Sequence, residues 1–273
     1  MSITKDATKG WARPVSAAEW TELLSGTGIP NPDSAWPCTE ASGNLSDVIG
    51  SLTLSANGTP LYAQAAAGWA GTGVAADDNT TDGFRAASGV GPNPTTTSQA
   101  WLFVIALQAE PTAARVIGGI NTGSGTAGTS VRAQFNPSAG TNAPRILANA
   151  NVNGSLDHGA GDYVFTLLYD RAGSRAKFYT DLETVTGTVP ASIADGNKGV
   201  FCQTSVGSAV CMYAAMWSGA NAEGLSDANV ATIRGRIQSP PATGFRPQIV
   251  VGSFGGYSTK HLPIGIFQDP GAA

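Results

Sequence analysis

The chain has 273 residues, with 15 Lys and Arg against 19 Asp and Glu and a formal net charge of −4. Hydrophobic residues make up 42% of the sequence, which excludes an intrinsically disordered chain. Charged residues make up only 12%, about half of the ~25% typical of globular proteins. Lys and Arg are scattered rather than clustered, which argues against a nucleic-acid-binding surface. The composition indicates a folded β protein rich in Gly, Thr and Ala.

The first 35 residues are predicted to form a leader with one short helix. Ser16 and Glu19 have the spacing of a capping box, in which each side chain hydrogen-bonds the backbone of the other residue. Trp20, Leu23 and Leu24 then form one apolar face. A helix this short needs a packing partner to persist, so we expect these three side chains to make assembly contacts with another protein. The N-terminus shows no apolar segment of the kind that directs secretion.

Residues 36–237 alternate short apolar strands with turns rich in Gly, Pro and Asn. This pattern, without helical periods between the strands, predicts an all-β fold, an antiparallel β-sandwich. The run Ala100–Ala109 lacks polar alternation, so we expect that strand to be covered on both faces. The run is about half of a bilayer span, and no transmembrane segment is predicted. The predicted strands are Ser51–Leu54, Gly83–Ala86, Ala100–Ala109, Arg115–Ile120, Ser130–Phe135, Arg145–Ala150, Tyr163–Tyr169, Arg175–Tyr179, Gly199–Gln203 and Val210–Trp217.

One longer helix and a C-terminal arm are predicted after the strands. Ser226 is placed as the N-cap, and Val230, Ile233 and Ile237 fall on one face of the helix. Residues 238–273 are rich in Pro and Gly and are predicted to be an extended arm. Five apolar residues of the arm are expected to make assembly contacts: Ile249, Val251, Phe254, Ile264 and Phe267.

Five segments, in order, resemble the concanavalin A-like (laminin-G-like) lectin and glucanase jelly roll. They are Trp36–Gly50, Gly73–Arg85, Ala100–Leu107, Tyr163–Asp181 and Met212–Val230. The third segment is similar to the central core strand of that family, the fourth to its diagnostic hairpin, and the fifth to its closing strand and helix. The resemblance covers roughly residues 36–237 and implies the jelly-roll fold, without implying one activity.

The leader, joined to this domain without a secretion signal, resembles proteins of tailed-phage structural regions. A low surface charge is typical of a protein whose faces are covered by neighbours. The sequence therefore favours a non-enzymatic structural protein of a phage virion, as a capsid decoration, fibre or tail-associated component. The expected partners are other virion proteins and further copies of the chain, and a host surface glycan stays open as a ligand.

Two other functions stay open, a glycan-binding attachment module and, third, a glycoside hydrolase. The resemblance implies that retaining glucanases of this fold place two Glu four residues apart on one strand, flanking the scissile bond. No two of the six Glu here are four residues apart, and Asp181 and Glu183 fall at a predicted turn. The only histidines are His158, expected in an exposed loop, and His261, and neither is assigned a catalytic role. We therefore predict no catalytic residues and no enzymatic activity.

Asp77, Asp78, Asn79 and Asp82 form the candidate binding loop. Their hard oxygen atoms suit a metal ion or the hydroxyl groups of a glycan. An Asx-rich turn is the favoured explanation of this composition, so no cofactor is predicted and calcium stays open as a ligand.

Aromatic and cysteine side chains supply further candidates. Stacking on sugar rings is an option for Trp69, Trp101, Trp217 and Tyr213, although core packing is the expected role of those that lie in strands. The three cysteines are Cys38, Cys202 and Cys211, and their spacing matches no zinc site. A hairpin turn at 206–207 would bring the second and third opposite each other, either as a redox pair or, as we favour, as two buried thiols.

Overall fold

The computed structural model describes residues 3–76, 83–110, 115–121, 130–138, 141–190, 193, 195–200 and 209–241. All of them lie in one compact unit, Met1–Thr243. Within the described residues the chain forms mostly strands, with three short helices. In chain order the elements are α1 Ala17–Leu23, β1 Ser34–Trp36, β2 Ser55–Asn57, β3 Leu61–Ala65, β4 Thr72–Ala75, β5 Gly83–Ala86, β6 Gln99–Leu107, β7 Arg115–Asn121, β8 Val131–Ser138, β9 Thr141–Leu147, β10 Asn151–Asn153, β11 Gly161–Asp170, β12 Arg175–Tyr179, β13 Thr184–Gly187, β14 Asn197–Val200, β15 Ala209–Ser218, α2 Ala220–Glu223 and α3 Asp227–Gln238.

The described strands pair into two antiparallel sheets. Sheet 1 has the order β13-β12-β11-β6-β15-β4-β3, with β1 also paired to β15. Sheet 2 has the order β10-β9-β8-β7-β14-β5-β2. The prediction of an all-β antiparallel sandwich with few helices is confirmed.

Strand β6 lies at the centre of sheet 1 and is buried along its whole length. It pairs with β11 through Val104↔Val164 and with β15 through Val104↔Tyr213. Trp101 and Phe103 face the core between the two sheets, whereas Leu102 and Val104 face a second apolar cluster on the outer side of sheet 1. The prediction that this strand is covered on both faces is therefore confirmed.

The second cluster forms because the leader and α3 cover the outer face of sheet 1. From α1, Trp20 lies with its ring centroid 5.7 Å from that of Tyr213 and 5.8 Å from that of Trp217, both on β15. From α3, Val230 and Ile233 join the same cluster. Apolar burial on both faces thus makes sheet 1 the middle layer of the part that the structure describes.

Both predicted N-caps are present. The hydroxyl of Ser16 accepts a hydrogen bond from the Glu19 amide at 3.3 Å, and that of Ser226 accepts one from the Asn229 amide at 3.1 Å. The return half of the capping box differs, because the Glu19 carboxylate binds the amides of Val15 and Thr4 instead of the amide of Ser16. Glu19 thus joins α1 to the start of the leader. No helix of the described chain is long and apolar enough to cross a membrane.

Candidate acid cleft

The turn between β12 and β13 forms one wall of an open cleft. Thr180 closes this turn, because its amide and its hydroxyl both donate to the Glu183 carbonyl while the hydroxyl accepts from the Glu183 amide. Asp181 and Glu183 both belong to the turn that these bonds close. The rigid turn therefore fixes where two acids leave the edge of sheet 1.

Helix α3 forms the opposite wall. Its apolar face, with Val230, Ile233 and Ile237, is buried on sheet 1. This orientation turns Asp227 and Arg234 toward the turn. The cleft between the two walls has a volume of about 230 Å³. Its lining residues are Tyr179, Thr180, Asp181, Leu182, Glu183, Thr184, Asp227, Val230, Ala231 and Arg234.

Asp181 is the partly buried acid of the cleft, with 18% of its side chain exposed. Burial raises the pKa of Asp181, although several contacts oppose this effect. The Val164 amide donates to the carboxylate at 3.2 Å, and Gln238 Nε2 lies 3.3 Å from both oxygens. Arg234 Nε lies 3.4 Å from Oδ1. Because desolvation outweighs these contacts, Asp181 holds its proton more tightly than an ordinary aspartate.

Asp227 is the exposed acid of the cleft, with 63% of its side chain exposed. Lys177 Nζ lies 2.9 Å from both carboxylate oxygens, and the Tyr179 hydroxyl donates to Oδ1 at 2.8 Å. The bond from Lys177, followed by that from Tyr179, lowers the pKa of Asp227. The same site raises the pKa of Tyr179 through burial and through its bond to Asp227. Asp227 therefore loses its proton at a lower pH than Asp181 does.

Glu183 has a structural role at the edge of the cleft. Its carboxylate accepts hydrogen bonds from the Ser155 amide at 2.9 and 3.0 Å and from the Leu156 amide at 2.7 Å. These bonds tie the loop before β11 to the turn. The sequence suggests Asp181 and Glu183 as two neighbouring acids. Because Glu183 is committed to these amides, the second acid to consider beside Asp181 in the cleft is Asp227.

The structure separates the predicted aromatic candidates. Trp101, Trp217 and Tyr213 are buried in the core and present no ring to solvent. Trp69 is half-buried, and its indole nitrogen donates to Asp162 Oδ1 at 2.7 Å. The expectation of core packing therefore holds for the three strand residues.

The leader residues predicted as assembly contacts pack within this chain. Trp20, Leu23 and Leu24 are 0%, 0% and 4% exposed on the outer face of sheet 1. The expectation that they need another protein is corrected, because sheet 1 itself supplies the apolar surface that a short helix requires. The arm residues expected to make assembly contacts lie outside the described residues: Ile249, Val251, Phe254, Ile264 and Phe267.

The predicted binding loop also lies outside the described residues, since Asp77, Asp78, Asn79 and Asp82 fall between β4 and β5. In the part of the chain that the structure describes, no group of three or more His, Cys, Asp or Glu is placed to hold a metal ion. Calcium binding by that loop stays a prediction.

No protein-family model and no characterised protein sequence matches this chain. Solved structures similar to it include a Trypanosoma rangeli sialidase in complex with sialic acid, with a TM-score of 0.46, 8% identity, and coverage of 74% of this chain and 32% of the sialidase. An arabinofuranosidase complexed with arabinofuranosyl-α-1,2-xylobiose has a TM-score of 0.44, 12% identity, and coverage of 71% and 51%. An alginate lyase of polysaccharide lyase family 7 has a TM-score of 0.30, 11% identity, and coverage of 50% and 62%. The chain thus spans about a third of the sialidase and half of the arabinofuranosidase.

These neighbours correct the prediction of a non-enzymatic phage structural protein. The structures named above are glycosidases and a lyase, and none of the three is a virion component. The same neighbours contradict the prediction that the chain is not an enzyme, without showing that it is one. With TM-scores below 0.5, however, these likenesses carry no argument for a particular activity or substrate.

Proposed function

We propose that this protein hydrolyses glycosidic bonds and that the acid cleft is its catalytic site. The observation that carries the proposal is that Asp181 and Asp227 line one cleft while their surroundings shift their pKa values in opposite directions. Two carboxyl groups, one retaining a proton and the other ionised, are the groups that glycosidic hydrolysis requires.

The two acids take distinct roles in this proposal. Asp181 donates its proton to the glycosidic oxygen as the bond to the anomeric carbon breaks. Asp227, held ionised by Lys177 and Tyr179, serves as the second carboxylate, either toward water or toward the anomeric carbon. Arg234 bonds the Thr180 carbonyl and keeps the helix and the turn in one geometry.

We also propose that the sandwich is a concanavalin A-like jelly roll. Support comes from the order of the five resembling segments, whose central piece falls on β6 and whose hairpin falls on β11 and β12. The last segment falls on β15 and the first turn of α3, so Asp181 and Asp227 both lie within segments that carry the resemblance.

The test measures turnover of a panel of aryl glycosides and polysaccharides by the wild type, Asp181→Asn and Asp227→Asn. We expect each substitution to lower kcat by about 100-fold or more, because each removes a proton donor or an ionised carboxylate. Glu110→Gln is the control, since Glu110 is exposed and does not line the acid cleft. Circular dichroism and thermal unfolding confirm that the variants fold.

Equal turnover by the wild type and both variants would contradict the proposal, and so would an absence of turnover across the whole panel. In the latter case, calorimetric titration with the same polysaccharides decides whether the cleft binds glycans without cleaving them. If the wild type binds a polysaccharide saturably and Asp227→Asn does not, the function of the cleft is glycan binding rather than hydrolysis.

A further inference from the structure

Two buried thiols belong to the same core cluster between the sheets. Cys38 follows β1 and Cys211 lies on β15, and both are 0% exposed. Strands β1 and β15 pair with Trp36 opposite Ala214, so the chain beyond Trp36 runs alongside β15 toward Cys211. Within this cluster the Cys38 thiol donates to the Trp36 carbonyl at 3.4 Å, and the Cys211 thiol donates to the Tyr213 carbonyl at 3.3 Å.

The backbone on either side of these thiols is firmly held. Arg13 is 6% exposed, and its Nη2 donates to the carbonyl of Pro37 at 2.9 Å and to the carbonyl of Thr72. Strand β4 pairs with β15 through Val74↔Cys211. The Arg13 guanidinium thus joins the residue before Cys38 to the start of β4, the strand that pairs with β15 at Cys211.

We propose that Cys38 and Cys211 form a disulfide when the protein meets an oxidising small-molecule disulfide such as glutathione disulfide. One thiolate attacks the glutathione disulfide and releases one glutathione thiol, and the second cysteine then attacks the mixed disulfide and releases the other. The two cysteines together lose two electrons and two protons, and glutathione disulfide gains them. The pairing differs from the hairpin partner suggested by the sequence, because Cys202 lies outside the described residues, whereas Cys38 shares a core cluster with Cys211 and follows the strand that pairs with β15.

Closure of this bond would join two segments whose cysteines lie 173 positions apart in the sequence. A crosslink over so long a loop restricts the unfolded chain strongly. We therefore expect the oxidised protein to have a Tm higher by roughly 5–15 °C. Burial keeps the oxidant away from the folded core, so the bond forms during folding or local opening.

The experiment refolds Cys202→Ala from urea in a buffer of reduced and oxidised glutathione. The expected product has lost the mass of two hydrogen atoms, and peptide mapping without reduction finds Cys38 linked to Cys211. Cys38→Ala/Cys202→Ala, refolded in the same buffer, is the matched control and should show neither the mass loss nor the rise in Tm. The disulfides of the wild-type protein are mapped in parallel, so that the test can still be decided if the control variant does not fold.

Three free thiols in the refolded wild type would overturn the proposal. A disulfide mapped to Cys202 would overturn it equally. The result is independent of glycan hydrolysis, because neither cysteine lines the acid cleft.

Discussion

At the scale of single residues, His158 shows how far burial can depart from a sequence-based expectation. An exposed loop position was predicted, but the side chain is 0% exposed. Its ring lies 5.3 Å from that of Tyr163, 5.9 Å from that of Phe135 and 6.1 Å from that of Phe165. The polar sequence around His158 does not predict its burial, because the aromatic residues that cover it come from β8 and β11.

We predict that His158 makes the protein less stable as the pH falls below about 6.5. Burial lowers the pKa of the folded-state imidazole, so the unfolded chain binds the proton more readily. The contribution is fully present above the unfolded pKa and is lost as the pH falls toward the folded one, at about 1.4 kcal/mol per unit of difference. Urea unfolding of the wild type and His158→Phe between pH 7.5 and 5 measures this dependence, which the variant should lack.

His261→Asn is the control for this measurement, since it removes the other histidine and should leave the dependence on pH unchanged. A dependence that persists in His158→Phe and disappears in His261→Asn would show that the titrating group was misassigned.

The proposed catalytic pair was also not predicted from the sequence, for a related reason. Asp181 and Asp227 are 46 positions apart, so no spacing rule joins them. They line one cleft because α3 packs Val230 and Ile233 on sheet 1 and thereby turns Asp227 toward the turn. Sequence reasoning considered Asp181 with Glu183, and the structure commits Glu183 to the amides of Ser155 and Leu156.

At the scale of elements, the leader helix tests whether the outer cluster is part of the stable fold. Replacing Trp20 by Ala should lower the free energy of unfolding by about 3–5 kcal/mol, because a fully buried indole is lost from a cluster that includes Tyr213 and Trp217. Urea unfolding followed by circular dichroism measures the change. Glu22→Ala, on a more exposed side of α1, should stay within about 0.5 kcal/mol.

A loss below 1 kcal/mol for Trp20→Ala would contradict this prediction, because it would mean that α1 is detached from sheet 1 in solution. The same variant also bears on assembly. A partner-binding role for Trp20 would alter the oligomeric state with little effect on stability.

The elements predicted best are those that burial determines. Strands β6 and β15 appear within two residues of their predicted bounds, because continuous apolar runs suit strands covered on both faces. Strand β3 was missed because it is partly exposed, contains a register shift and has Ala63 at a φ of 48°. Strand β9 is Thr141–Leu147 rather than Arg145–Ala150, since its bounds follow from pairing with β8 rather than from its own apolar run.

At the scale of the whole molecule, a few carboxylates join segments that are distant in sequence. Asp6 accepts the amides of Thr8 and Lys9 within the leader and those of Ala70 and Gly71 near β4. Burial would raise the pKa of Asp6, but these four bonds outweigh it and lower the pKa. In a chain with only 19 acidic residues, each such contact matters to how the leader is held on the sandwich.

We predict that these contacts weaken in acid and that the leader is released in the process. The folded-state pKa of Asp6 is lower than its unfolded value, so its stabilising contribution is present above about pH 3.9 and is lost as the pH falls through the folded pKa. Amide hydrogen exchange at pH 7 and pH 3, corrected for the intrinsic rate, should show lower protection of Ala70 and Gly71 in acid. Asp6→Asn should show that lower protection already at pH 7, whereas Asp157→Asn, an exposed acid elsewhere, should behave as the wild type. Equal protection of these amides at both pH values in the wild type would show that packing of Trp20, rather than the carboxylate, holds the leader in place.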